Sequence, residues 1–265
     1  MSLKLKHVES ALESVASFRE PKQELEQYPT SPHLAARMIF TAATSFDDIV
    51  DRSVVDLGCG TGRLLIACCY LGAGSVLGVD LDRGAIEQAQ ANVEECEVVA
   101  DLLLEDVSDL QLLPKSVDTV VSNPPFGTRN RGIDTVFLLQ GARIARNAVY
   151  FLYKSSTRAH FQRICACIAA EMDIVAVMRF DIPKMYAFHR QQSVDIEVDM
   201  ARVDVSQADL KVIEQLLQGN GEAADLQLGQ SEVRAVPNEL GDGPNRVGSA
   251  RHRHQEGDPT SREDG

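Results

Sequence analysis

Apolar residues recur along this chain at two spacings, and the switches between them mark out its elements. Leu5, Val8, Leu12 and Val15 recur three and four apart, with Lys and Glu between them, which predicts an amphipathic helix of about three turns. Pro21 follows it. Thr30 or Ser31 then offers a cap and Pro32 a first helical residue, so a second helix runs from there to about Thr44. Residues 54–57 read as a short buried strand, 63–71 as a helix, 75–79 as a second strand and 83–95 as a helix. A third strand spans about 98–104 and a fourth 117–121. Further on, 148–152 reads as a strand, 157–170 as a helix, and 173–180 and 194–200 as two more strands, the last alternating hydrophobic with acidic residues.

Beyond about Val203 the pattern fades. Residues 203–265 are rich in Gly, Gln, Asn, Asp and Pro, contain no aromatic side chain, and hold 12 acids against 6 bases. Such a segment buries too little apolar surface to offset its ordering entropy, so residues 1–203 are expected to form the folded domain and 204–265 a mostly disordered acidic tail. One exception is 206–218, where Ser206 caps, Leu210, Ile213 and Leu217 form a stripe, and Gly219 stops the helix. The whole chain carries a net charge of −13, which argues against non-specific binding to nucleic acid. The six cysteines show no paired zinc spacing and read as reduced thiols in apolar patterns; no metal site is expected. With no signal peptide and no apolar run of membrane length, a reducing intracellular compartment is the expected location.

The candidate chemistry lies where strands end. Val54-Val55-Asp56-Leu57 runs into Gly58-Cys59-Gly60-Thr61-Gly62 and then into a helix, the arrangement of a nucleotide-type site in an α/β sheet. The glycines admit a ligand close to the backbone and leave helix-terminal N–H groups available. The spacing is not that of dinucleotide enzymes, and no Gly-Lys-Ser/Thr follows for phosphates. Asp80 ends the second strand about 20 residues past the loop, placed to accept from ribose hydroxyls. Asp106 follows the third strand, placed to accept from an adenine amino group. After the fourth strand comes Asn123-Pro124-Pro125-Phe126-Gly127. Two prolines cannot donate to a sheet ladder, so the chain leaves the sheet in a stiff turn. That turn either presents the Asn123 side chain, the Pro124 carbonyl and the Phe126 ring to a planar group bearing an NH2, or is an ordinary turn with a buried Phe.

These motifs, in this order, resemble those of class I S-adenosylmethionine-dependent methyltransferases. The resemblance implies a Rossmann-like α/β fold: a seven-stranded, mostly parallel sheet with helices on both faces and an antiparallel last strand. Glu26-Gln27-Tyr28-Pro29-Thr30, Asn123-Pro124-Pro125-Phe126-Gly127-Thr128, Lys154-Ser155-Ser156-Thr157-Arg158 and Ser193-Val194-Asp195-Ile196-Glu197-Val198-Asp199 are in turn similar to the methyltransferase-like protein 5 family, over roughly residues 3–202. That likeness implies methylation of the N6 amine of one adenosine in small-subunit ribosomal RNA. The tail, Thr61 and Arg63 depart from the family pattern.

The resemblance implies S-adenosyl-L-methionine as cofactor, held by Gln27 and Thr30 of an N-terminal lid and by Asp56, Gly58, Gly60, Thr61, Asp80, Asp106 and Val107. It assigns the amine to Asn123, Pro124, Pro125 and Phe126. Basic residues around the expected mouth, namely Arg129, Arg131, Lys154, Arg158, Lys184, His189 and Arg190, would track RNA phosphates if they converge. The family's small zinc-binding activator subunit is expected as a partner at the third strand, an apolar sheet edge made by Val98, Val99, Leu102, Leu103 and Leu104. An Asn-Pro-Pro-aromatic motif also serves guanine-N2 RNA methyltransferases and protein glutamine-N5 methyltransferases, and a non-catalytic scaffold of the same fold is a further alternative. The nucleus, the nucleolus and the cytoplasm all remain open as locations.

Overall fold

The strands assemble in the order β3-β2-β1-β4-β5-β7-β6, seven of them among the described residues. The structure is a computed structural model. It describes residues 4–183 and 193–219, with the backbone alone for 180–183 and 193–195. β1 (Ser53–Leu57), β2 (Ser75–Asp80), β3 (Asp101–Leu104), β4 (Val117–Ser122) and β5 (Ala145–Lys154) run parallel. β7 (Ser193–Asp204) is inserted antiparallel between β5 and β6 (Glu171–Pro183). This is the sheet the class I resemblance implied. Parallel neighbours need crossover helices, and these cover both faces.

Alternation within each strand sorts the core into two layers. Val54, Val121, Tyr150, Leu152, Val198 and Met200 face one side, under α1 (Leu5–Leu12), α2 (Pro32–Ser45), α3 (Arg63–Tyr70) and α4 (Arg83–Glu95). Val55, Leu57, Val120, Val149, Phe151 and Val203 face the other, under α5 (Ile133–Ile144), α6 (Arg158–Cys167) and α7 (Leu210–Gln218). Ser31 accepts from the Leu34 N–H and Pro32 opens α2, the cap expected for that helix.

Four expectations are corrected. α5 has no counterpart in the sequence reading. The third strand begins at Asp101 rather than Val98, because Glu97 takes a left-handed φ of +52° and the Val98 N–H turns back to Val93 to close α4. α7 is capped by Asp209, which accepts from the Lys211 and Val212 N–H groups, while the Ser206 hydroxyl is spent on Asp204. The domain does not end at 203: Ile213 and Leu216 of α7 are buried in the α5 layer, so the folded chain continues to Gly219. The disorder expected of the remaining tail lies outside the described residues.

Candidate active site

The carboxyl ends of β1, β2 and β4 open into one cavity. Its wall includes Asp56, Gly58, Gly60, Thr61, Asp80, Asp106, Val107, Asn123 and Pro125, and from the N-terminal segment Gln27 and Thr30. All nine residues expected to hold a cofactor therefore meet there. Gly58 and Gly60 adopt φ of +68° and +54°, a backbone that L side chains rarely take. A Cβ at Gly58 would fall 2.8 Å from the Phe137 ring, and one at Gly60 2.9 Å from the Phe18 ring. At these two positions the loop is thus a cradle with no room for a side chain.

Asp80 braces this cradle. One of its oxygens accepts from the Gly60 N–H at 2.9 Å and the other from the Asp82 N–H at 2.9 Å. Burial still pushes its carboxyl above the usual range, partly opposed by those two donors. Asp56 lies deeper. One oxygen accepts from the Leu65 N–H at 3.0 Å, and burial pushes the carboxyl up to about 8. Asp106 is exposed and caps a short 3-10 turn through the Ser108 N–H, 2.8 Å away.

Residues 13–31 form a lid, pinned at several points. The Arg63 guanidinium donates to the Val15 and Thr30 carbonyls at 2.5 and 2.6 Å. Asn92 bonds both the N–H and the carbonyl of Ala16. The Gln27 amide nitrogen donates to Asp82 at 2.7 Å, and its oxygen accepts from the Lys22 N–H at 2.8 Å. Lys22 also pairs with Asp82 at 2.5 Å. Burial raises the Asp82 carboxyl, but the bonds from Lys22, Gln27 and the Gly84 N–H outweigh it and hold the group below its ordinary value. Gln27 is therefore a latch of the lid as well as part of the cavity wall.

Asn123 connects the lid to the other end of the cavity: its Nδ2 donates to the Thr30 hydroxyl at 2.9 Å. Its Oδ1 is buried and has no hydrogen-bond partner. Pro124 is buried, and neither it nor Phe126 forms part of the cavity wall. Phe126 instead packs in part against the core, with the Lys154 ammonium 5.9 Å from its ring centroid. The expected catalytic group is thus divided: Asn123 and Pro125 line the cavity, while Phe126 stands beside it.

The basic residues divide as well. Arg129 and Arg131 are exposed on the loop after Gly127. Lys154 and Arg158 line a second, open groove with Ser155, Ser156, Ile196 and Glu197. Arg158 is committed to the fully buried Asp199, which it contacts at 2.6 and 2.8 Å, so it anchors β7 before it serves any phosphate. Lys184, His189 and Arg190 lie outside the described residues. The sequence reading assigned no role to Phe18, Lys22, Glu26 or Asp82. Of these only Asp82 carried a local signal, as the cap of α4.

Fold and cavity together define a class I methyltransferase. A family model described as a methyltransferase domain matches residues 54–137, from β1 through the start of α5. The chain belongs to the METTL5 family of rRNA N(6)-adenosine-methyltransferases. It is 46% identical over 203 residues to the Danio rerio member, covering 76% of this chain and 98% of that one. The Drosophila melanogaster member is 44% identical, with 77% and 97% covered. Among solved structures, a Pyrococcus horikoshii protein described as a candidate RNA methyltransferase superposes with a TM-score of 0.69 at 30% identity, covering 77% of this chain and 98% of that one.

Proposed function

We propose that this chain methylates the N6 amine of an adenosine in small-subunit ribosomal RNA, with S-adenosylmethionine as donor. The observation that carries the reading is the Asn123 Oδ1: a buried acceptor, without a partner, on the wall of the cofactor cavity. Two further buried polar atoms without partners, Asp56 Oδ1 and Arg63 Nε, belong to residues of the same wall. Orphaned polar atoms are rare in folded proteins, and their gathering here fits a site built for a polar ligand. The Gly58–Gly60 cradle has the same bearing.

The residues then take defined parts. Gly58, Gly60, Thr61, Asp80, Asp106 and Val107 hold the cofactor, and Gln27 and Thr30 close over it. When bound, S-adenosylmethionine supplies an electrophilic methyl group on a sulfonium, so the protein needs no nucleophilic side chain. An aromatic exocyclic amine is a weak nucleophile because its lone pair is delocalised into the ring. Asn123 Oδ1 accepts from the amine and fixes its direction of attack, a gain from orientation. Asn123 is itself oriented through Nδ2 by Thr30. Phe126 stacks on the base, which must be unpaired or flipped out to enter. Lys154, Arg129 and Arg131 receive the flanking phosphates.

The proposal extends to a partner and a location. The β3 edge, with Val99 92% exposed, suits the small zinc-binding activator subunit, and any zinc belongs to that subunit. A nuclear or cytoplasmic site of ribosomal RNA modification is in keeping with six unpaired cysteines.

The test is methyl transfer from labelled S-adenosylmethionine to short RNA, a guanine-only RNA and a release-factor peptide, with Asn123→Ala alongside. The expected result is label in N6-methyladenosine, reduced roughly a hundredfold in the variant. Label in guanine or glutamine instead would keep the fold and replace the substrate.

A further inference from the structure

We infer that Glu26 is a positioning residue for methyl transfer: it ties the lid over the cofactor cavity to the loop that presents the target amine. The inference rests on the methyltransferase reading of the cavity. Between the end of β4 and the start of α5 the chain forms neither helix nor strand, and Gly127 and Gly132 take φ of +67° and +83°. Such a segment holds its shape through contacts from outside it. Glu26 supplies two: its carboxylate accepts from the Phe126 N–H at 3.0 Å and from the Arg129 N–H at 2.7 Å. Bonds from a carboxylate to backbone N–H groups are among the strong ones.

Glu26 reaches this loop from a left-handed backbone, φ +51°, uncommon for a residue with a side chain. That turn separates the directions of two adjacent side chains. Glu26 grips the loop that carries Phe126, while Gln27, next in the chain, grips Asp82 beyond the end of β2. Thr30 then holds Asn123 itself. One short lid segment thereby spans the cofactor wall and the amine-binding loop. The bonds to Asp82, to the Phe126 N–H and to Asn123 together hold lid and loop in one arrangement.

The test combines amide hydrogen exchange, calorimetric titration with S-adenosylmethionine and turnover, on the complete chain and on Glu26→Ala and Glu26→Gln. In Glu26→Ala the Phe126 and Arg129 amides should exchange roughly tenfold faster or more. Turnover (kcat) should fall about tenfold to a hundredfold, while the cofactor Kd stays within about threefold. Glu26→Gln keeps one acceptor oxygen and should lie between, which preserves the comparison if the alanine variant folds poorly. Unchanged exchange at Phe126 and Arg129 would overturn the inference. So would a rise in Kd that accounts for the whole loss of turnover, since Glu26 would then act as a cofactor ligand. A wild-type chain that binds no S-adenosylmethionine would count against the proposed function, while the exchange comparison would still decide the link between lid and loop.

Discussion

Asp56 shows what the site costs the fold. Its carboxyl is fully buried, bonded on one side only, and raised to about 8 by burial, with Asp80 nearby adding to the shift. The folded pKa lies above the unfolded one, so the folded state keeps a proton that the unfolded chain releases. The contribution of this residue is fully present below about pH 4 and is lost as pH rises through about 8. Denaturant titrations from about pH 5 to about pH 9 should show stability falling with pH, and Asp56→Asn should flatten that fall. A steeper fall in the variant would contradict the assignment. Asn123 and Asp80 were legible as site residues because each ends a strand. Arg158 was legible as a cation, but not as the partner of Asp199, 41 positions away.

α5 and α7 show where reading by periodicity fails, in opposite ways. α5 is enclosed on most sides, from Thr135 and Phe137 through Ile144, and carries Gly141 where a Cβ would meet Val120 and Val149 at 3.1–3.2 Å. A helix buried all round has no polar face, so the 3.6-residue signal disappears. α7 has a clear stripe but sits in a stretch whose composition reads as disordered. Its stripe is ordered by docking on α5, which burial of Ile213 and Leu216 accomplishes. Ile213→Ala should therefore cost about 2–4 kcal/mol in a chemical-denaturation measurement. A loss near zero would mean that α7 is not part of the cooperative fold. The largely apolar run 98–104 predicts a longer strand than β3, because apolar character alone does not tell extended backbone from the helix end that Val98 closes.

The assembled sheet leaves its two edges unequal. β6 is long and pairs with β7 along its length, whereas β3 is four residues long, with Leu104 40% exposed and the preceding Val99 almost fully so. Short edge strands are one way proteins limit unwanted pairing, yet exposed valine and leucine invite a partner. If the small activator subunit proposed above binds this edge, the double variant Val99→Lys, Leu104→Lys should abolish its co-elution in size-exclusion chromatography and leave the chain folded. Undiminished co-elution would count against this edge as a docking surface. The cavity lies at the carboxyl ends of β1, β2 and β4, with Asp106 and Val107 beyond β3 in its wall, around the β1–β4 point where the strand order reverses.

The order of the strands and of every crossover helix but α5 was already written in the sequence, as were the glycine cradle and the acids and amide at the ends of β1, β2 and β4, because these follow from local periodicity and from residues with strong backbone preferences. The sequence also carried the family, through four motifs in order. Which polar groups share partners depends on the folded chain. Glu26 with Phe126 and Arg129, Gln27 with Asp82, Thr30 with Asn123 and Arg158 with Asp199 are pairs 41 to 103 positions apart. No local spacing encodes such pairs. They exist because the sheet order brings strand ends together and the lid folds across them, and burial then obliges each donor to find the acceptor that the fold supplies.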